Sequence, residues 1–435
     1  MDKQLTSVSA TGIIHYSASL INVFRNHWHV LIFAVLALLS SCSGPDQRLS
    51  EGTWRGVLSG TDKEIPFNFT LNYSESVPVL TYRNGEDLFV TDSTIIKGDT
   101  LVFPVDVYNA KLVAIPSGGQ LKGYWVNDSR PNHKVNFEAH PDEDYRFWLT
   151  GQTSPSNYLP TGRWGVVLSR NDGSETPAIA EFGEQNGRVH GTILTTTGDY
   201  RFLEGQKSGN ALKLSSFAGG GANLIDLQFV NEDSLSGTIG GLSGVRNFHA
   251  VRNENAMLPD AYGLTYLKDG YESLDFTFPD MEGNKVSLSD KKYRDKVKVI
   301  TIMGTWCPNC MDEAAFLGPW YEENKERGVE VIALSFEQKE DLDYVRPRVE
   351  RFTKRFDVGY EVLLAGNSSK EDAAETLPEL NAVLSFPTTI FVDREGKVRK
   401  IHTGFSGPAT GEHYEEFVRE FNSTVDELLA DNKTI

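Results

Sequence analysis

The sequence predicts a multidomain chain: two tandem antiparallel all-β domains, each a sandwich or small barrel, then an α/β domain with a mixed central sheet. Three observations carry that expectation. A set of sequence blocks recurs about 110 residues apart, buried runs alternate with helical runs from about Leu274, and two of the three cysteines stand at a strand-to-helix junction. At 435 residues the chain is too long for one hydrophobic core.

The repeat is explicit. GTWRGVL (Gly52 to Leu58) recurs as GRWGVVL (Gly162 to Leu168), 110 residues later. Pro66 matches Pro177, GDTLVF (Gly98 to Phe103) matches GNALKL (Gly209 to Leu214), and NFEA (Asn136 to Ala139) matches NFHA (Asn247 to Ala250), each at 111. LKGYW (Leu121 to Trp125) and LSGTI (Leu235 to Ile239) match at 114, the mark of a short insertion. Blocks in one order at a nearly constant offset indicate a duplicated domain. Within each copy apolar and polar residues alternate, as in Phe67, Phe69 and Leu71 or Ile179 and Phe182, and Gly, Asn and Asp break the runs. Each copy therefore reads as six to eight short strands over roughly 90 residues. The glycine clusters AGGG (Ala218 to Gly221) and GGLSG (Gly240 to Gly244) precede no helical pattern. They read as turns between strands rather than phosphate cradles.

Composition excludes one partner class. Lys+Arg 42 against Asp+Glu 60 gives a net charge of -18, a surface that repels phosphate backbones, so no nucleic acid is expected. The apolar run Val30 to Leu39 is shorter than the roughly 20 residues of a membrane-spanning helix and fits the apolar core of a secretory signal. Arg25, His27 and His29 flank it, and it ends in LSSC, Leu39 to Cys42. That ending resembles the lipobox of bacterial lipoproteins, which implies a lipidated Cys42 as membrane anchor; a plain secretory signal is the simpler alternative. The organisation read from the sequence is a lipoprotein-type signal peptide (1–41), anchor and linker (42–50), β-domain repeat 1 (51–150), a linker (151–160), β-domain repeat 2 (161–255), a linker (256–270) and the α/β domain (271–435).

In that last domain FTFPDMEGNKVSL (Phe276 to Leu288) reads as a hairpin around Glu282-Gly283, and Lys296 to Met303 as a buried strand. A helix should follow the cysteines and stop near Gly328; Val329 to Phe336 is a second buried strand, and a charged helix runs from about Asp341 to Phe356. Thr388 to Asp393 and the segment after REG form a terminal hairpin, and a helix from Gly411 to about Leu429 closes the domain. The junction sequence is GTWCPNC, Gly304 to Cys310. A chain facing an oxidising compartment would use disulfides to join distant segments, whereas a pair three positions apart constrains almost nothing. At a helix N-terminus, unpaired N–H groups and the helix dipole favour a thiolate at Cys307, and Pro308 suits the first turn. Cys310, one turn on, can attack a mixed disulfide formed at Cys307. With no second cysteine pair, a structural zinc site or iron–sulfur cluster lacks ligands, and Met311 after Cys310 excludes c-type haem attachment. An inert structural disulfide between Cys307 and Cys310 is the plain alternative.

C-x-x-C between a buried strand and a helix is the redox signature of the thioredoxin fold. Residues of about 270 to 435 resemble the TlpA/ResA-like branch of the thioredoxin family, membrane-tethered and periplasm-facing thiol–disulfide oxidoreductases. The leading hairpin, WCPNC, Glu313 and FPTTIFVDREGKV from Phe386 carry the likeness. The resemblance implies a cis peptide before Pro387, with the Phe386 backbone against the C-x-x-C and able to pair with a partner segment. Spacing puts Glu313 on the Cys310 face of the helix, in reach of its proton, although acids are also common in a helix's first turns; the resemblance tips Glu313 toward function. The buried Asp of thioredoxin would fall at Thr301. Asn309 and Phe386 depart from the branch's usual residues, and both flank the partner groove; with Trp306, Pro308 and Pro387 they are the expected active-site support. The activity expected is dithiol–disulfide exchange with thiol- or disulfide-containing envelope proteins, recharged by an upstream membrane electron donor or acceptor, with no metal or organic cofactor beyond the redox-active disulfide. A thiol peroxidase and an envelope binding lipoprotein, in which the β-repeats hold a ligand, are the alternatives. The peroxidase reading lacks the Thr that normally stands three positions before the nucleophile, where this chain has Gly304.

Overall fold

The computed structural model describes residues 48–60, 62–128, 134–149, 151–242 and 244–431; the segment 1–41, expected to be a signal peptide, and Cys42 lie outside them. The first repeat forms one antiparallel sheet of nine strands, and so does the second. Both copies begin alike. Gly52 and Gly162 take φ of +117° and +113°, a region open to glycine, and Trp54 and Trp164 each donate their indole N–H to the carbonyl four residues back, Ser50 and Pro160, at 2.9 and 2.8 Å. Leu58 stands opposite Phe137 in one copy as Leu168 does opposite Phe248 in the other, so the duplicated blocks hold the same register. The buried faces are the alternate residues of each strand, Trp54, Leu58, Phe67 and Phe69 in the first and Trp164, Val166, Leu168 and Phe182 in the second.

The copies differ in closure. In the second, strand Glu175–Gln185 pairs with both Gly162–Ser169 and Arg188–Thr195, which closes an eight-stranded barrel with the short strand Gly198–Asp199 added outside it. In the first, Asp87–Val90 and Ile95–Lys97 end the sheet without pairing to each other among the described residues, leaving a half-barrel. The strand count exceeds the six to eight read from the sequence, because two- to four-residue strands such as Asp87–Val90 and Ile95–Lys97 carry no periodic signal. The second barrel fills the open side. Phe217 packs its ring 4.3 Å from Phe67, and its backbone exchanges two 3.0 Å hydrogen bonds with the Asn84 side chain. The cluster Ala218 to Gly221 is a turn that also sits against the first repeat, a Cβ at Gly220 lying 2.4 Å from the Tyr108 ring, whereas Gly240 and Gly241 of the other cluster end strand Ser234–Gly241.

The α/β domain has a five-stranded sheet in the order Glu361–Asn367, Val329–Glu337, Val297–Met303, Thr388–Val392, Val398–Thr403, the first three parallel and the last two antiparallel. Four helices accompany it among the described residues: α1 (Pro308–Asn324), α2 (Leu342–Phe356), α3 (Lys370–Thr376) and α4 (Glu412–Ala430). All seven residues of Val297–Met303 are buried, as expected of a central parallel strand. Asp341 caps α2 by accepting from Asp343 N–H, and Gly328, at φ +91°, ends the turn after α1. Phe316 and Trp320 of α1 meet Phe421 of α4 edge-on at 5.1 and 4.9 Å, which fixes the motif helix against the C-terminal one. Strand Glu361–Asn367 and helix α3 had no counterpart in the sequence reading.

Candidate active site: a cysteine pair at the head of α1

The buried strand Val297–Met303 delivers the chain to Gly304, where a Cβ would lie 2.8 Å from the Phe336 carbonyl oxygen. The loop after it is pinned from below. The Glu337 carboxylate accepts from the Thr305 amide and hydroxyl at 2.8 Å each and from the Ser335 hydroxyl at 2.7 Å, and Trp306 donates its indole N–H to the Phe336 carbonyl at 2.9 Å. Burial lifts Glu337 above the usual carboxylate range against these donors. Cys307 is then the N-cap of α1, with Pro308 in the first turn.

Both cysteines are free thiols and both are buried. The Cys310 amide donates to the Cys307 sulfur at 3.3 Å, and the Cys307 thiol donates to the Phe386 carbonyl at 3.2 Å. Phe386–Pro387 is a cis peptide. Burial, followed by the neighbouring Cys307 sulfur, pushes the Cys310 thiol well above its ordinary value. One thiol is thus at the helix terminus with a backbone donor aimed at it, and the other is held protonated a turn deeper.

Glu313 lies in the interior a further turn along. Thr301 donates to its Oε2 at 2.5 Å and Thr389 to its Oε1 at 2.6 Å, and burial raises its carboxyl to about 7. Its charge acts on Cys310, and both act on the buried phenol of Tyr360. Thr301, the position where the resemblance placed a missing acid, instead supports the acid that is present. Trp306 and Phe336 pack on the Phe386 ring at 5.5 and 5.8 Å. The structure therefore brings Trp306, Cys307, Pro308, Cys310, Glu313, Phe386 and Pro387 together. Asn309 instead faces the second β-domain, where its amide nitrogen stands 1.9 Å from where a Gly198 Cβ would be. The sequence reading missed Glu337, Thr389 and Tyr360. Of these only Glu337 left a trace, as a charged residue ending the apolar run VEVIALSFE.

Comparisons with known proteins fall on this C-terminal domain. A profile described as the AhpC/TSA family matches residues 270–401. A thiol-disulfide oxidoreductase ResA of Bacillus thuringiensis subsp. konkukian is 30% identical over 151 residues, covering 35% of this chain and 77% of its own length. The ResA of Bacillus subtilis is 29% identical over 142 residues, 33% of this chain and 71% of its own. The solved thioredoxin domain of a thiol-disulfide oxidoreductase from Bacteroides vulgatus aligns at 22% identity over 35% of this chain and 99% of its own, with a TM-score of 0.27. Through its C-terminal domain the chain belongs to the ResA thiol–disulfide oxidoreductases.

Proposed function

We propose that the chain is a lipid-anchored oxidoreductase facing the periplasm, which exchanges disulfides with envelope proteins through Cys307 and Cys310. The observation that supports this most is the 3.3 Å contact from the Cys310 amide to the Cys307 sulfur, with Cys310 buried behind it and electrostatically coupled to Glu313. In the reductive direction the Cys307 thiolate attacks one sulfur of a partner disulfide; that S–S bond breaks and the first partner thiolate leaves. Cys310 passes its proton to Glu313 and attacks the Cys307 sulfur of the mixed disulfide, expelling the second partner thiolate. Two electrons pass to the partner, and the chain is left with the Cys307–Cys310 disulfide. The dithiol carries the electrons itself, so the exchange calls on no metal or organic cofactor; an upstream membrane donor or acceptor resets the pair. Trp306, Pro308, Phe386 and Pro387 shape the site around the sulfur, while Asn309 faces the second β-domain. Cys42 is the lipid attachment point; no helix among the described residues is long and apolar enough to cross a membrane.

The Cys310→Ser variant tests this. It should accumulate mixed disulfides on Cys307 that dithiothreitol releases, while Cys307→Ser should form none. Equal labelling of both variants would contradict the assigned order of attack.

A further inference from the structure

Three segments meet beside Cys307: the head of α1, the Ser385–Pro387 loop, whose Phe386 carbonyl accepts from the Cys307 thiol, and Gly404 after the last strand, whose N–H donates to the Pro387 carbonyl at 3.0 Å. A single turn of the second β-domain sits on all three. It runs from Thr195 to Asp199, bridging strand Arg188–Thr195 and the two-residue strand Gly198–Asp199. The turn is braced internally, with the Thr195 hydroxyl donating to the Gly198 carbonyl at 2.8 Å. The Ser385 hydroxyl donates to the Thr197 carbonyl at 2.7 Å. A Cβ at Gly404 would come within 2.9 Å of the Thr197 backbone, and one at Gly198 within 1.9 Å of the Asn309 side-chain nitrogen, so neither glycine has room for a side chain. Asp199 accepts the Gly407 N–H at 2.7 Å. Arg201, just beyond the turn, bonds Asp312 of α1 at 2.9 Å and Tyr108 of the first β-domain at 3.0 Å. Cys307, two residues before Asn309, is 5% exposed.

A disulfide can be attacked only if one of its sulfurs comes into line with the Cys307 sulfur, and a folded protein cannot bring one there past a seated turn. A small disulfide needs a far narrower opening than a folded protein does. A cavity of about 280 Å³ opens between the β-domains and ends on Pro308 and Asn309, near the lower limit of roughly 300 Å³ usual for small-molecule sites.

We propose that the Thr195–Asp199 turn is a specificity determinant of exchange at Cys307: low-molecular-weight disulfides react with the turn seated, whereas protein disulfides react only by displacing it. The inference rests on the reading of Cys307 as the nucleophile. Gly198 and Ser385 are the positions that seat the turn, the first because any side chain there meets Asn309, the second through its hydrogen bond to Thr197.

The test is a single-turnover oxidation of the reduced, full-length protein by hydroxyethyl disulfide or by insulin, each rate divided by that of free dithiothreitol with the same disulfide. The unaltered protein should favour the small disulfide over insulin at least about ten-fold more than dithiothreitol does. Gly198→Ala, which pushes the turn off Asn309, and Ser385→Ala, which removes its tether, should each raise the insulin rate several-fold while leaving the hydroxyethyl disulfide rate within about two-fold. Equal normalised rates in the unaltered protein, or an unchanged ratio in both variants, would overturn the inference. Reaction with neither disulfide, with Cys307→Ser indistinguishable, would remove the oxidoreductase reading itself and this inference with it.

Discussion

Two threonine hydroxyls hold the Glu313 carboxyl in the interior, and its proton affinity is the residue-scale core of the account. Burial raises it from 4.5 to about 7, so between those pH values the folded chain binds more protons than the unfolded chain, and stability falls as pH rises through that window. A shift of that size corresponds to about 3 kcal/mol of destabilisation above pH 7. Glu313→Gln, neutral at every pH, should therefore be more stable than the unaltered protein by about that amount above pH 7 in urea unfolding, with the gain shrinking toward pH 4.5. In the same variant the resolving attack by Cys310 should slow by about 100-fold and lose its inflection near pH 7, read by release of the mixed disulfide. A variant with unchanged stability and an unchanged pH profile would place Glu313 outside the proton path. Cys307, Cys310 and Glu313 were readable because their relation is local, three positions at a time along one helix. Thr389 and Tyr360 were not: Thr389 lies 76 residues from Glu313 in sequence, and nothing in the local pattern of either residue marks the contact.

At the scale of elements, the motif loop depends on its neighbour strand. Glu337, at the end of Val329–Glu337, satisfies three donors in a buried setting, so Glu337→Ala would strand the Thr305 amide and two hydroxyls. The expected cost is about 2 kcal/mol or more in denaturant unfolding, with slower exchange at Cys307 because the loop that aims it is released. A loss below half that, with full activity, would show that the loop is held elsewhere. The order of buried strand, motif helix, buried strand, charged helix and terminal hairpin was legible because each carries its own periodicity and end signal, Asp341 and Gly328 among them. Strand Glu361–Asn367 was not, since VLLA between charged and glycine-rich flanks is too short to separate from a loop. It is nonetheless the outer parallel strand beside Val329–Glu337.

At the scale of the molecule, the duplication was legible from its blocks, and its two tryptophans keep the same bond to the carbonyl four residues back. That one copy closes and the other stays open was not legible, because it depends on whether strands far apart in sequence meet. The open copy has its core completed by its neighbour. Phe217 fills against Phe67, and the buried Arg146 guanidinium donates to the Ser215 carbonyl at 2.8 Å and to the Arg83 carbonyl at 2.6 Å, joining the two repeats. Phe217→Ala should cost about 3 to 5 kcal/mol and make the first repeat the preferred site of limited proteolysis. Uniform digestion across both repeats would mean that the half-barrel stands alone. The second repeat also places its turn on Ser385, next to the residue that accepts from Cys307, a contact across 188 positions that no local pattern announces.

The measurement that bears most directly on the central claim is equilibrium titration of the Cys307–Cys310 pair by thiol labelling, across defined dithiothreitol buffers with the protein folded. The account predicts one reversible two-electron transition, with a slope near 30 mV per decade, absent in both single-cysteine variants. A pair that stays oxidised until the domain unfolds, or that never forms a disulfide, would contradict it.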